Sequence, residues 1–108
     1  MKFDKLVRDK IPEIIEKNGS IAIIRTLTDE EYEVYLEKKL DEEVAEFHES
    51  KSIDELADIQ EVFNALCRAY GYSVSEVYQK VAEKALARGC FYDKILLIET
   101  IDKEEPSI

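Results

Sequence analysis

Three serine or threonine residues, each followed three positions later by a glutamate, divide most of this sequence into helices. The pairs are Thr28 with Glu31, Ser52 with Glu55, and Ser73 with Glu76. This is the spacing of a capping box, in which the two side chains satisfy backbone N–H groups that the first helical turn leaves free. It predicts helices over residues 29–49, 53–70 and 74–88, with Gly71 and Gly89 as the stops of the last two.

Shorter elements flank these helices. Pro12 suits the first turn of a short helix that continues to Lys17 and ends at Asn18-Gly19. Residues 20–27 and 91–100 are rich in isoleucine and leucine and predict two short strands. We expect these strands to pair as a two-stranded β ribbon on a mainly α-helical bundle of about three to four helices.

The length of 108 residues fits one domain, which we place at residues 1–101, with a frayed tail over 102–108. A domain this small buries only part of its unfolded surface, so association with a second copy would help it. The net charge of -10 argues against a nucleic-acid-binding protein, because phosphate backbones attract clustered Lys and Arg.

The sequence also carries signals of compartment. Cys67 and Cys90 are too few for a disulfide framework, and the charged N-terminus lacks the apolar stretch of a signal peptide. No apolar run reaches the length of a membrane span. We therefore expect a cytoplasmic protein.

Four carboxylates fall on or beside the predicted apolar faces of two successive helices. In the first helix, Glu43 lies within the apolar stripe and Glu46 on its flank; the stripe is Leu36, Leu40, Val44 and Phe47. In the second, Glu55 lies within the apolar arc and Asp58 at its margin; the arc is Leu56, Ile59, Phe63, Leu66 and Tyr70. Each helix thus directs an acidic pair toward the seam between them.

Carboxylates in such positions are costly unless something compensates for their lost hydration. Mg²⁺ prefers a few carboxylate oxygens together with waters and substrate phosphates, and helical bundles with inward-facing acids supply such sites. The alternative is a solvated acidic surface, since a sequence with 25 acidic residues contains many such spacings by chance.

Basic residues recur on the third predicted helix at Lys80, Lys84 and Arg88, which share a face. They fit either ion pairs with the acidic helices or contacts with substrate phosphates after a metal has bound. Arg8 and Lys10 form a second basic cluster, for which a solvated surface is the commoner outcome. His48 is the only histidine, which argues against Ser–His–Asp or Cys–His catalysis.

The acidic segments Glu42-Glu43-Val44-Ala45-Glu46-Phe47 and Glu55-Leu56-Ala57-Asp58 resemble the EExxE…ExxD signature of the all-α nucleotide pyrophosphohydrolases, the MazG-like and phosphoribosyl-ATP pyrophosphohydrolase group. Residues 5–12, KLVRDKIP, are similar to the opening of its short house-cleaning branch. Residues 84–91, KALARGCF, are similar to that branch's KxxxRGGF element, with Cys90 where the second glycine usually stands. The resemblance covers roughly residues 3–97 in the family's order.

This resemblance implies Mg²⁺-dependent hydrolysis of a nucleoside triphosphate between its α- and β-phosphates, with Mn²⁺ as a substitute metal. It implies that the four carboxylates hold the metal and carry the catalysis, one of them orienting the attacking water, and that Lys84 and Arg88 contact phosphates. We also expect Arg8 and Lys10 to bind substrate, and a homodimer or homotetramer. The alternatives are a phosphoribosyl-ATP pyrophosphohydrolase of histidine biosynthesis and a non-catalytic acidic module that binds a basic protein.

Overall fold

The computed structural model describes residues 2–103 and consists of four α-helices joined by short connections. Helix α1 spans Ile11–Lys17, α2 Asp29–Ser50, α3 Ile53–Ala69 and α4 Val74–Arg88. The prediction of a mainly α-helical fold is confirmed, and the predicted helix ends agree with these bounds to within one residue. None of the helices in the described part of the chain has both the length and the apolarity needed to cross a membrane.

The three predicted N-caps each hold the start of a long helix. The side chains of Thr28, Ser52 and Ser73 accept hydrogen bonds from the backbone N–H groups three residues later. At the other end of α3, Gly71 takes a positive φ of 81°, which brings the Tyr72 N–H to the Cys67 carbonyl at 2.8 Å. This Schellman turn ends the helix as the glycine predicted.

Helices α2 and α3 form an antiparallel hairpin around a small apolar core. The turn between them is only Lys51 and Ser52, and Lys51 takes a left-handed φ of 56° to make it. Leu36 of α2 is 2% exposed and packs with Val62 and Ala65 of α3. The core therefore lies between these two helices, and the hairpin turn closes one end of their seam.

Helix α4 packs against α3, and no packing contact joins it to α1 or α2 in the part of the chain that the structure describes. An open groove of about 420 Å³ separates parts of α3 and α4; its lining is mostly apolar and comprises Leu56, Ile59, Gln60, Phe63, Val77, Tyr78 and Val81. The predicted buried face of α3 is partly wrong, because Leu56 and Tyr70 are exposed in this chain. Helix α3 instead has two apolar faces, and its α2-facing side carries the buried residues Val62 and Ala65.

The predicted β ribbon is not shown, because residues 2–103 contain no β-strand. Residues 91–101 are exposed throughout, and Ile21, Ile23 and Ile24 are exposed as well. A two-stranded ribbon is marginal unless one face packs on something else, and neither segment has such support among residues 2–103. The predicted frayed tail falls mostly on residues 104–108, which lie outside the described residues.

Candidate metal centre

The four carboxylates singled out in the sequence meet at the hairpin end of the α2–α3 seam. Glu43 and Glu46 lie one turn apart on α2, and Glu55 and Asp58 lie in the first turns of α3. Each offers one carboxylate oxygen, and these oxygens all lie within 4.8 Å of one another. The apolar core begins immediately beyond them, so the acidic cluster replaces what would otherwise be the last layer of the seam.

Glu43 is the deepest of the four, at 6% exposed. One of its oxygens, Oε1, pairs with the Lys39 ammonium at 3.3 Å, whereas Oε2 is buried without a hydrogen-bond partner. Burial raises the pKa of the Glu43 carboxyl above its ordinary value, the neighbouring Glu46 carboxylate raises it further, and Lys39 opposes both. The Oε2 oxygen of Glu55 is likewise buried and unpartnered.

The N-terminal segment lies across the open side of the cluster. The Arg8 guanidinium donates to Asp58 Oδ1 at 2.7 Å, and Lys5 reaches Glu42 at 3.5 Å. Between this segment and the hairpin is a pocket of about 220 Å³, lined by Lys5, Val7, Arg8, Ile11, Lys39, Glu43 and Asp58. Two carboxylates and three cationic side chains therefore line the same pocket.

The donor set fits a hard divalent cation. All four groups are carboxylates, which are the ligands that Mg²⁺ and Mn²⁺ prefer. Two of their oxygens, one on Glu43 and one on Glu55, are buried and accept no hydrogen bond from the part of the chain that the structure describes. A buried, unpartnered carboxylate oxygen is unfavourable by about 1–3 kcal/mol or more, and a bound cation would remove that penalty.

Of the basic residues predicted to bind substrate, one lies at the acidic cluster and three do not pair with it in the described part of the chain. Arg8 is at the cluster, but Lys10 is exposed at the N-terminus of α1. Lys84 and Arg88 are exposed near the end of α4, and neither pairs with the four carboxylates in the described part of the chain. Their predicted contact with phosphates stays a prediction.

Two cations beside the cluster, Lys39 and Lys5, were not predicted from the sequence. The sequence does indicate the position of Lys39, because a lysine four residues before Glu43 on the same helix can pair with it. Lys5 belongs to the segment KLVRDKIP that carries part of the resemblance, but no local spacing relates it to the acidic helices, and only the path of the N-terminal segment brings it near Glu42.

Comparison with known proteins leaves the function open. No family model matches the chain, and no solved structure matches it. A protein of Mycolicibacterium smegmatis (strain ATCC 700084 / mc(2)155), itself described as uncharacterized, is 52% identical over 50 residues, which are 46% of this chain and 51% of the relative. The chain therefore matches about half the length of this curated relative, whose description names no activity.

Proposed function

We propose that this protein is a Mg²⁺-dependent nucleoside triphosphate pyrophosphohydrolase of the MazG-like kind, which cleaves between the α- and β-phosphates and removes non-canonical nucleotides. The observation that carries the proposal is Glu43, a nearly buried carboxylate with one unpartnered oxygen, directed at three other carboxylates within 4.8 Å. The motif resemblance suggests which reaction this site would catalyse. Metal binding at the site would in turn explain why the motif consists of carboxylates.

In this proposal Glu43, Glu46, Glu55 and Asp58 hold the metal. When bound, Mg²⁺ supplies the positive charge that stabilises the phosphate oxygens and the leaving pyrophosphate. One of the carboxylates can also accept a hydrogen bond from the attacking water and orient it toward the α-phosphate. The protein is then required to position groups rather than to supply a covalent nucleophile.

Cations on the pocket wall have the complementary task of binding the substrate's phosphates. Arg8 is more than half exposed, so its guanidinium is free to exchange Asp58 for a phosphate oxygen and to bind it in a bidentate manner. Lys5 and Lys39 line the same pocket. Lys84, Arg88 and Lys10 are proposed as further phosphate contacts on the strength of the resemblance, which also implies a homodimer or homotetramer.

The test is release of pyrophosphate with Mg²⁺, and separately with Mn²⁺, from a panel of ordinary and modified nucleoside triphosphates and phosphoribosyl-ATP. We expect activity on triphosphates that is lost in EDTA. Glu43→Gln and Asp58→Asn should each reduce kcat/KM at least about 100-fold, because loss of mere supporting partners of metal ligands already costs 10–100-fold.

Matched controls lie on the same two helices. Glu49→Gln on α2 and Glu61→Gln on α3 remove one exposed carboxylate each and leave the cluster intact. Both should retain full activity. Undiminished turnover in Glu43→Gln and Asp58→Asn would overturn the assignment of the site, and turnover of phosphoribosyl-ATP alone would replace the proposed substrate class.

A further inference from the structure

In the described part of the chain, two basic side chains pair with carboxylates of the acidic cluster, and they are attached to the fold in different ways. Lys39 belongs to α2, one turn before Glu43, and its side chain is only 17% exposed where it pairs with Glu43 at 3.3 Å. Arg8 belongs to the segment before α1, is 56% exposed, and donates to Asp58 at 2.7 Å from 50 residues away in the sequence. Lys39 is therefore held beside the cluster by its own helix, whereas Arg8 reaches it from a separate segment.

The backbone of Arg8 is anchored, but its guanidinium is not. Leu6 packs on the apolar core, and the Ile11 N–H donates to the Arg8 carbonyl at 3.0 Å. A guanidinium has several N–H donors in a planar fork, and Arg8 uses one arm of that fork, on Asp58, among the described residues. Arg8 can therefore change its partner by rotation of its side chain alone, without release of the segment that carries it.

Asp58 belongs both to this ion pair and to the four carboxylates that could hold a metal. A divalent cation and a guanidinium on the same carboxylate repel each other, and each weakens the bond of the other to it. The ion pair itself is weak, because both side chains are at least 35% exposed and solvent-exposed ion pairs contribute little stability. Arg8 therefore lowers the affinity of the cluster for a divalent cation without excluding it.

An anion in the pocket beside the cluster would give the Arg8 guanidinium another partner. The lining of this pocket of about 220 Å³ includes Lys5 and Lys39 in addition to Arg8. Phosphate oxygens accept charge-assisted hydrogen bonds from a guanidinium, and a phosphate group can accept from both arms of the fork. A phosphate group bound to Arg8 would release Asp58 and would bring negative charge toward the cluster. The repulsion between Arg8 and a metal would then be replaced by attraction between the phosphate and the metal.

We infer that Arg8 is an exchangeable counter-cation, which lowers the affinity of the four carboxylates for a divalent metal until a polyphosphate group binds in the same pocket. Metal and polyphosphate then bind cooperatively, and thermodynamic linkage makes the enhancement mutual. The protein would thus bind free metal weakly and the metal–polyphosphate complex tightly. This inference rests on the metal site of the proposed function, but it does not depend on which bond of the substrate is cleaved.

The first experiment measures Mn²⁺ binding without phosphate, from the EPR signal of free Mn²⁺ at constant ionic strength. We expect Arg8→Gln to bind Mn²⁺ at least about fivefold more tightly than wild type. Arg25→Gln is the matched control, because it removes the same charge from another exposed arginine–carboxylate pair, Arg25 with Glu31, outside the cluster. Its affinity for Mn²⁺ should equal that of wild type.

The outcomes separate this inference from the proposed function. Equal or weaker Mn²⁺ binding by Arg8→Gln would overturn the inference, and loss of the same binding in Asp58→Asn would show that the metal centre nevertheless stands. Absence of binding in wild type and Arg8→Gln alike would remove the metal centre itself, and this inference with it.

The exchange of partners is tested by ¹H–¹⁵N spectra of the arginine side chains, in which the Arg8 signal is identified by its loss in Arg8→Gln. We expect this signal to shift with MgCl₂, and to reach half of its shift at a lower concentration when an equimolar complex of Mg²⁺ with tripolyphosphate replaces MgCl₂. In Arg8→Gln, followed by the Asp58 amide signal, the ratio of these two concentrations should be at least about fivefold smaller. An Arg8 signal that stays in place while the Asp58 amide responds to MgCl₂ would show that Arg8 keeps Asp58. An equal ratio in both chains would show that metal and polyphosphate bind independently of Arg8, and either result would overturn the inference.

Discussion

At the scale of single residues, Glu43 is where the stability of the fold opposes the proposed binding of a metal. Its carboxylate lies next to the apolar core, and its pKa is raised, chiefly by burial. Lys39 pairs with one oxygen at 3.3 Å, but the same ammonium also contacts Glu42 at 3.3 Å, so it neutralises only part of the charge around it. A bound cation would compensate for this cost, as the proposed function requires.

Because of that raised pKa, the metal-free protein should lose stability as pH rises. Between the ordinary glutamate pKa of 4.5 and the raised value, the folded state binds more protons than the unfolded state. Stability therefore falls across that window and then stays at its lower level. Glu43→Gln cannot ionise, so its melting temperature in EDTA should decline less between pH 4 and 7, as thermal melts followed by circular dichroism would show.

The same substitution separates a metal site from a structural ion-pair network. At pH 7 in EDTA we expect Glu43→Gln to be more stable than wild type, by about 1–3 kcal/mol, because it removes a buried negative charge from beside Glu46 while Lys39 keeps Glu42. Mg²⁺ at 100 times its dissociation constant should stabilise wild type by about 2.7 kcal/mol and the variant hardly at all. If Glu43→Gln is less stable than wild type in EDTA, the main role of Glu43 is its structural ion pair with Lys39. Glu49→Gln should match wild type in both buffers.

At the scale of helices, the three capping boxes end up unequal. The box at Thr28 closes in both directions, since the Thr28 N–H donates to Glu31 at 3.0 Å and the Glu31 N–H donates back at 3.2 Å. At α3 the Ser52 N–H instead donates to the Ser50 hydroxyl at 3.3 Å, and the Glu55 carboxylate lies in the acidic cluster. At α4 only the Ser73 side chain accepts from the Glu76 N–H, so an open box does not by itself mark a site. What distinguishes α3 is that its Glu55 carboxylate belongs to the acidic cluster.

The closed box at α2 predicts a specific weakness in acid. Arg25 donates twice to Glu31, at 3.0 and 2.8 Å, and these bonds together with the Thr28 N–H lower the pKa of Glu31 to about 2. The folded state thus binds fewer protons than the unfolded state between about 2 and 4.5. The stability that Glu31 contributes is present above pH 4.5 and is lost as pH falls toward about 2.

Glu31→Gln should therefore flatten the acid limb of the melting temperature between pH 5 and 2. Glu30→Gln is the matched control, because Glu30 is an exposed carboxylate in the same first turn and no ion pair involves it among the described residues. An acid limb in Glu31→Gln as steep as that of wild type would show that other carboxylates cause it. Added salt should reduce the contribution of Glu31 to stability, since the Arg25–Glu31 ion pair is exposed to solvent.

Features that depend on residues close in sequence could be predicted, whereas those that depend on packing between distant segments could not. The helix ends were predictable because a cap acts over three or four residues, as at Ser73 and Gly71. The approach of Glu43 to Asp58 was predictable because both lie on faces that a short turn folds together. The side of α3 that stays open at Leu56 was not, since α3 has two apolar faces and the sequence does not say which neighbour covers each.

At the scale of the whole molecule, charge repulsion and metal binding both respond to added salt and have to be separated. The chain has 25 acidic and 15 basic residues, so its net charge is -10. Such a charge destabilises the compact state through self-repulsion, and any salt relieves part of this by screening. A stabilising effect of MgCl₂ alone would therefore prove little about the cluster.

The decisive comparison is between NaCl and MgCl₂ at matched ionic strength. We expect both salts to raise the melting temperature gradually, and MgCl₂ to add a saturable step that depends on the four carboxylates. Asp58→Asn and Glu61→Gln each remove one negative charge from α3, so screening acts on both alike. Only Asp58→Asn should lose the saturable step, because only Asp58 belongs to the cluster. If the step persists in Asp58→Asn or disappears in Glu61→Gln, Mg²⁺ acts on the charge of the whole molecule, and the seam between α2 and α3 holds no metal.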